Sequence, residues 1–212
     1  IVSTFLGAHE VPREYKSRKG EYIKLLTQTI LPEVEKNNLA EFFDIFCEEG
    51  VYSVEESRFL IAAAKKAGLK IKLHADEFVS LGGSQLAVDE GAKSAEHLIA
   101  ITDDGIQKMA ASNTTAILLP GVPFFLMQNK KAPARALIEA GAIVALATDF
   151  NPGSSMTESQ FFIMQLAVYL LNMTVEEAIN TVTINAAYGI DRHTEIGSLE
   201  VGKKMDLVLC DA

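Results

Sequence analysis

The chain has 212 residues, of which 49% are hydrophobic and 22% are charged, a composition typical of a globular protein with a sizeable core. Its formal net charge is −9 and the sequence has no basic stripe, so nucleic acid is not an expected partner. The sequence contains no signal-peptide pattern and no apolar run of membrane-spanning length, so we expect neither secretion nor a membrane partner.

The first predicted element is an apolar strand over residues 1–9, which ends at His9. Natural domains rarely begin within a strand, so we expect the chain to be a piece of a longer protein. Residues 21–37 then form a predicted helix, and Phe42–Cys47 form a second strand with two glutamates at its tip. The chain therefore begins with alternating strands and helices.

The segment 53–77 contains the clearest example of a repeated unit, which consists of a helix, a glycine, a strand and a polar tip. Ser53 and Glu56 have the spacing of a capping box, which predicts the start of a helix. Gly68 suits the left-handed position that follows a helix. The short apolar strand after this glycine ends at His74.

Similar units continue through the strand over 142–148, and two longer helices follow. Further helices are predicted at 85–90, 103–112, 132–140, 158–171 and 174–187, and further strands at 94–96, 115–119 and 142–148. The last of these strands is apolar throughout, which is typical of a parallel strand covered by helices. Residues 197–209 differ from these units and are predicted to form a turn and a strand.

Six predicted strands separated by helices indicate an α/β fold. The fold is either a (β/α)8 barrel that lacks its first two units or a six-stranded open sheet. We expect residues 1–192 to belong to the barrel and residues 193–212 to return to a small β-sheet domain. The cysteines Cys47 and Cys210 are far apart and form no CxxC pair, which favours a reducing cytoplasm over a disulfide framework.

Residues with catalytic chemistry recur where predicted strands end. His9, His74, His97 and Asp149 all lie at such positions, and in a parallel barrel these ends open on the face that holds the active site. Imidazole nitrogens bind Zn²⁺ or Fe²⁺ well, and a carboxylate beside a metal can transfer protons. Each histidine alone could be a hydrogen-bonded core residue, and Asp149 could instead cap the next helix.

Three further features near these strand ends have more than one interpretation. Glu77 could be a general base, a partner of bound water or a substrate contact, whereas Asp76 could lie at the surface or support a neighbouring residue. The small residues of 151–155 could expose backbone N–H groups to a carboxylate or a phosphate. His193 lies in a polar stretch and is expected to be solvated.

Several motifs resemble, in order and spacing, those of the imidazolonepropionase family within the amidohydrolase superfamily. They are Thr4-Phe5-Leu6-Gly7-Ala8-His9, His74-Ala75-Asp76-Glu77, Ser94-Ala95-Glu96-His97-Leu98, Leu118-Leu119-Pro120-Gly121, Ala147-Thr148-Asp149-Phe150-Asn151-Pro152-Gly153-Ser154 and Gly197-Ser198-Leu199-Glu200-Val201-Gly202-Lys203. The resemblance covers nearly the whole chain. It implies a metal-dependent hydrolase that opens a cyclic amide, 4-imidazolone-5-propanoate, to N-formimino-L-glutamate.

The resemblance also implies a role for each residue of the predicted site. His74 and Asp149 would bind one divalent metal, zinc or iron, while His97 would polarise the scissile carbonyl. Asp149 would move a proton from water to the leaving nitrogen, and Glu77 would contact the substrate or the water. The family's metal-binding His-x-His pair, and its upstream Arg and Tyr substrate contacts, are absent from this sequence.

The expected partner is a small-molecule substrate with a carboxylate. The resemblance implies that His9, Asn151, Gly153 and Ser154 help to bind it, the last three at its propionate end. A homodimer is the commonest state among soluble oligomers in general and is the one we expect.

Three other functions are compatible with the residues alone. A related amidohydrolase that deaminates a heterocycle would share His74, His97 and Asp149 but lack a site for a substrate carboxylate. A metal-free barrel lyase or isomerase could use 151–155 as a phosphate cradle. A non-enzymatic relative without metal would be insensitive to replacement of Asp149.

Overall fold

The computed structural model describes residues 1–209, in which six parallel strands form one sheet. The strands are β1 (Thr4–Ala8), β2 (Phe42–Cys47), β3 (Lys70–Ala75), β4 (Ser94–His97), β5 (Thr115–Leu118) and β6 (Val144–Leu146). Each strand pairs with the next one along the chain, so the order has no switch point of the kind found in open doubly wound sheets. Of the two predicted architectures, the order supports the partial (β/α)8 barrel.

Helices separate the strands, as the repeated units predict. They are α1 (Lys19–Leu25), α2 (Leu31–Lys36), α3 (Val54–Lys66), α4 (Gly83–Asp89), α5 (Asp103–Ala110), α6 (Gly121–Phe125), α7 (Ala134–Ala140), α8 (Gln160–Leu171), α9 (Val175–Val182) and α10 (Ile184–Gly189). The capping box of Ser53 and Glu56 forms at the start of α3, and Gly68 after its end has a φ of 76°. Over residues 1–209, none of the helices combines the length and the apolar character needed to cross a membrane.

The two faces of the sheet differ in chemistry because side chains alternate along each strand. One face packs on the helices in a continuous core. Its strand residues include Phe43, Ile45, Ile71, Leu73, Ala95, Ala116, Leu118, Val144 and Leu146. The other face carries Asp44, His74 and Glu96 on three adjacent strands. The ionisable groups are therefore on the face that would line the inside of a barrel.

Two predicted helices are interrupted. In the first, a π-helical turn, Leu26–Ile30, separates α1 from α2. Pro32 explains it, because proline has no N–H to donate and its ring clashes with the carbonyl four residues earlier. In the second, the backbone of Thr183 leaves the helical region, so the predicted helix over 174–187 is two helices, α9 and α10.

The break at Thr183 lets the chain turn across the amino edge of the sheet. The Asn185 amide donates to the carbonyl oxygen of Val144 at the start of β6 over 2.8 Å. Asp191 then forms ion pairs with Lys70, at the start of β3, and with Lys93, just before β4. These contacts occupy the amino edge and leave the carboxyl edge to the predicted site.

The final described segment is irregular. Residues 198–209 form bends and turns followed by irregular backbone, and no partner strand lies beside them within residues 1–209. The predicted strand over 197–209 is therefore not formed here, and the division into 1–192 and 193–212 stays a prediction. Cys47 is buried and free, whereas Cys210 lies outside the described residues.

Candidate active site

A buried carboxylate on β2, Asp44, lies between two of the predicted histidines. His74 Nδ1 on β3 is 3.0 Å from Asp44 Oδ1, in hydrogen-bond geometry. His9 Nε2, just after β1, is 3.3 Å from the same oxygen but outside hydrogen-bond geometry. The two imidazole rings meet edge to face with their centroids 4.3 Å apart. One carboxylate oxygen therefore lies within 3.3 Å of a ring nitrogen of both histidines, and it is hydrogen-bonded to His74.

The third histidine, His97 at the end of β4, lies beside Glu77. His97 Nε2 is 3.5 Å from Glu77 Oε2, and the two side chains are only 3% and 9% exposed. The centroid of the His97 ring is 5.0 Å from that of His74. The structure thus brings His9, His74, His97 and Glu77 together at the carboxyl edge of the sheet.

Left-handed backbone conformations mark this edge. Positive φ angles occur at Asp76 (50°), His97 (72°) and Asp149 (48°). Such conformations in residues other than glycine cost about 1–3 kcal/mol each and concentrate at functional sites. His97 is in register with Ala75, whose side chain faces the helices, so strand alternation alone would direct His97 to that side. The left-handed turn at His97 accompanies its position beside the His74 ring.

The contact between Asp44 and His74 holds both groups in their charged forms. Burial opposes the charge on Asp44, but the two adjacent histidines keep the pKa of this carboxyl well below its ordinary value. Burial also opposes the charge on His74, yet Asp44 outweighs it and raises the pKa of His74 to about 9. The pair is therefore ionised at neutral pH in the absence of metal.

The other groups at this edge are shifted towards their neutral forms. Burial, opposed in part by His74, raises the pKa of Glu77 to about 7, and burial also raises the pKa of Asp149. Burial and the nearby charge of His74 keep the pKa of His97 well below its ordinary value. A neutral imidazole and two carboxyls with raised pKa values at one edge of the sheet can donate hydrogen bonds and exchange protons near neutral pH.

In the wild type, the free energy of unfolding is expected to fall as pH rises, and replacing Glu77 with glutamine is expected to make this fall smaller. The folded-state pKa of about 7 exceeds the ordinary 4.5, so the folded state keeps a proton that the unfolded state has lost between these values. The free energy of unfolding therefore falls across that window, by up to about 3 kcal/mol. Urea unfolding of metal-free protein at about pH 5 and about pH 8 measures the fall. An equal fall in the wild type and the variant would contradict this prediction.

The loop after β6 is held together by hydrogen bonds to the side chain of Asn151. Asn151 Oδ1 accepts hydrogen bonds from the backbone N–H groups of Gly153 and Ser154, each over 2.8 Å. Asn151 Nδ2 donates to the carbonyl oxygen of Asp149 over 2.8 Å and to its carboxylate over 3.3 Å. A substrate carboxylate could therefore use the two N–H groups only by displacing the Asn151 oxygen. The loop fixes the backbone of Asp149 in either case.

Two sets of donor atoms could hold a divalent metal among residues 1–209. Ligand atoms of His9, Asp44 and His74 lie within 4.8 Å of one another. The second set, implied by the resemblance, is His74 with Asp149. The bond between His74 Nδ1 and Asp44 leaves Nε2 available, which is the usual arrangement of a metal-binding histidine whose other nitrogen donates to a carboxylate. These nitrogen and oxygen donors therefore fit zinc or iron in the second set.

Two residues of the site, Asp44 and Glu48, are not predicted by the pattern of catalytic residues at strand ends. The signal was present, because a carboxylate within an apolar strand is costly to bury unless it is paired. Asp44 stands between Phe43 and Ile45, and the structure places it beside two histidines. The glutamate at the tip of β2, Glu48, is 2% exposed and binds backbone N–H groups of the loop that carries Glu77.

The chain is similar to known proteins along its whole length. The family model described as "Amidohydrolase family" matches residues 4–212. Imidazolonepropionase from Streptococcus gordonii is 49% identical over 212 residues, which cover 100% of this chain and 50% of that protein. Imidazolonepropionase from Alkaliphilus oremlandii is 52% identical over 100% of this chain and 50% of that protein. The chain thus spans about half the length of the curated relatives it matches.

A solved structure shares the fold. The adenosine deaminase from Xanthomonas campestris with bound zinc has a TM-score of 0.75 at 18% identity, and the match covers 97% of this chain and 51% of that chain. At this identity the similarity concerns the fold alone, and it agrees with the sequential order of the six parallel strands. The family match over residues 4–212 and the relatives at 49–52% identity confirm the resemblance, and this chain belongs to the amidohydrolase family.

Proposed function

We propose that the whole protein containing this chain hydrolyses 4-imidazolone-5-propanoate to N-formimino-L-glutamate, a ring opening in histidine degradation. One observation carries the proposal: His74, His97 and Glu77 lie together in a chain whose whole length matches about half of proteins named imidazolonepropionase. The reaction adds one water across the ring amide, which breaks the bond between the carbonyl carbon and the ring nitrogen.

His74, through Nε2, and Asp149 would hold one divalent metal, together with the histidines that the resemblance places upstream. When bound, zinc or iron supplies Lewis acidity, which lowers the pKa of coordinated water and polarises a carbonyl group. Asp44 fixes the ring of His74 through Nδ1 and thereby directs Nε2 away from β2. The choice between zinc and iron is open, because nitrogen and oxygen donors suit both.

Asp149 carries the proton in this proposal. Its carboxylate accepts a proton from the attacking water and then gives it to the leaving ring nitrogen, so one group serves as base and then as acid. Burial raises the pKa of Asp149, which favours this exchange near neutral pH. The hydrogen bonds from Asn151 hold the carbonyl and carboxylate of Asp149 in a fixed orientation.

His97 and Glu77 act on the substrate. A neutral His97 donates a hydrogen bond to the scissile carbonyl and stabilises the negative charge that develops on its oxygen. Glu77, 3.5 Å from His97 Nε2, binds the substrate ring or the attacking water. Because the pKa of Glu77 is about 7, it can hold or release a proton during the cycle.

The substrate carboxylate would bind at the side of the site formed by His9 and the loop after β6. His9 is partly exposed at the edge of the sheet, with 26% of its side chain accessible. The N–H groups of Gly153 and Ser154 can receive a carboxylate that takes the place of the Asn151 oxygen. A carboxylate-binding loop distinguishes this reaction from deamination of an uncharged heterocycle.

Steady-state assays of the whole protein with purine, pyrimidine and imidazolone substrates test the proposed reaction. We expect formation of N-formimino-L-glutamate, with deamination at least about 100-fold slower, because sites that pair a polar group reject ligands without it. Faster deamination of a purine or pyrimidine would contradict the proposal. We also propose that the whole protein is a cytoplasmic homodimer. Size-exclusion chromatography with light scattering tests the oligomeric state.

A further inference from the structure

In the loop that carries Glu77, residues 76–82, the three residues that follow Glu77 have little side-chain packing. The side chains of Phe78 and Val79 are 51% and 42% exposed, and Ser80 is exposed as well. The backbone has no helix or strand structure before α4 begins at Gly83. Apolar packing of these three residues therefore does not explain how the loop holds Glu77 beside His97.

Glu48, at the tip of β2, supplies that support. Its Oε2 accepts hydrogen bonds from the N–H groups of Glu77 over 3.1 Å and Phe78 over 2.9 Å. Its Oε1 accepts from Val79 over 3.3 Å and from Glu49 over 3.0 Å. The carboxylate is only 2% exposed, and each of its oxygens has two N–H donors.

A second buried carboxylate holds the other end of the same loop. Asp76 Oδ1 accepts from the N–H groups of Leu81, Gly82 and Gly83, and its Oδ2 accepts from Ser84, all over 3.1–3.2 Å. Asp76 therefore fixes the entry to α4, whereas Glu48 fixes the three residues that begin with Glu77. Only Glu48 connects this loop to the neighbouring strand β2 through side-chain hydrogen bonds among residues 1–209.

We infer that Glu48 is the positioning residue for Glu77. It does not touch the reacting atoms, but it binds the backbone N–H of the residue whose side chain contacts His97. A carboxylate is required here because four N–H donors need two acceptor oxygens, and an amide would offer only one. The inference rests on the proposed function, in which Glu77 acts on the substrate or the water.

A double-mutant cycle in the whole protein tests this inference. Glu48→Gln replaces one oxygen by an NH₂ group that opposes two of the four donors. We expect kcat for ring opening to fall about 10- to 100-fold through misplacement of Glu77, with metal content unchanged. In a Glu77→Gln background the same change should lower kcat by less than about 3-fold, since there is no longer a carboxylate to position. The neighbouring Glu49→Gln is the matched control, because the Glu49 side chain is exposed.

Hydrogen exchange supplies a readout that does not depend on activity. The amides of residues 77–79 should exchange faster in Glu48→Gln than in the wild type, while those of residues 81–84 keep their protection. If the glutamine variant does not fold, Glu48→Asp keeps the charge, shortens the side chain, and should give an intermediate kcat. Rescue of that kind is not expected from a residue that only fills space.

The outcomes separate the inference from the proposed function. If the wild type opens the ring, two results would overturn the positioning role alone. In the first, Glu48→Gln lowers kcat equally in the wild-type and Glu77→Gln backgrounds; in the second, it lowers kcat in neither. Unchanged exchange at residues 77–79 in Glu48→Gln would also overturn it. A wild type that does not open the imidazolone ring would overturn the proposed function, and the inference with it.

Discussion

Replacing Asp149 with asparagine is expected to lower kcat for ring opening by about 100- to 10,000-fold, because the group that carries the proton is lost. The asparagine keeps the shape of the side chain and can still interact with Asn151, so the loop after β6 should retain its fold. Metal content should fall as well, since Asp149 is also a proposed ligand. Single-turnover kinetics and elemental analysis of the whole protein measure both effects.

A matched control for Asp149 is Asp103→Asn. Asp103 is exposed in the first turn of α5, outside the site, and its replacement should change neither kcat nor metal content. Unchanged activity and metal content in Asp149→Asn would contradict the proposed mechanism and favour a non-enzymatic relative. A protein without bound metal but active as a lyase or isomerase would favour the metal-free alternative.

The second large effect is expected in the pH dependence of metal binding. A metal-bound histidine is a neutral imidazole, so binding through His74 must displace a proton below its pKa of about 9. Metal affinity of the wild type should therefore rise about tenfold for each pH unit between about pH 6 and about pH 8.5. Competition titration with a chelator of known affinity measures this slope.

Replacing Asp44 with asparagine should flatten that slope and weaken the site. Without the Asp44 carboxylate, burial disfavours the charged form of His74 against only the weaker effects of Glu96 and Asp149, so the pKa of His74 should fall and proton competition should weaken above about pH 6.5. The affinity reached at the upper end of the range should be about 10- to 100-fold lower than in the wild type, because His74 loses its orienting partner. Asp191→Asn, at the opposite edge of the sheet, is the control. A slope unchanged in Asp44→Asn would contradict the assigned role of Asp44.

Local sequence signals predicted most of the fold. All six strands of the described sheet overlap predicted strands, and the capping box at Ser53 forms as predicted. The ends of predicted strands also indicated the position of the site, because parallel pairing places His74 and His97 at the same edge of the sheet. Signals of this kind depend on residues close in sequence.

Features that depend on distant residues were not predicted. The break at Thr183 follows from contacts that α10 and the residues after it make with strand starts across the amino edge, and no local pattern indicates them. The apolar strand around Asp44 indicates that this carboxylate needs a partner, but it does not identify the partners, because the histidines are 30 or more residues away in the chain. Glu48 was seen only as a charge at a strand tip, since its four partners are backbone N–H groups, which every sequence contains.

Anomalous X-ray diffraction from crystals of the metal-loaded whole protein tests the central claim most directly. We predict one peak at the absorption edge of zinc or iron, about 2.0–2.2 Å from His74 Nε2 and from a carboxylate oxygen of Asp149. Asp44 should remain hydrogen-bonded to His74 Nδ1 on the far side of the ring. A peak located instead between His9, Asp44 and His74, or no peak at this edge of the sheet, would contradict the proposed metal site.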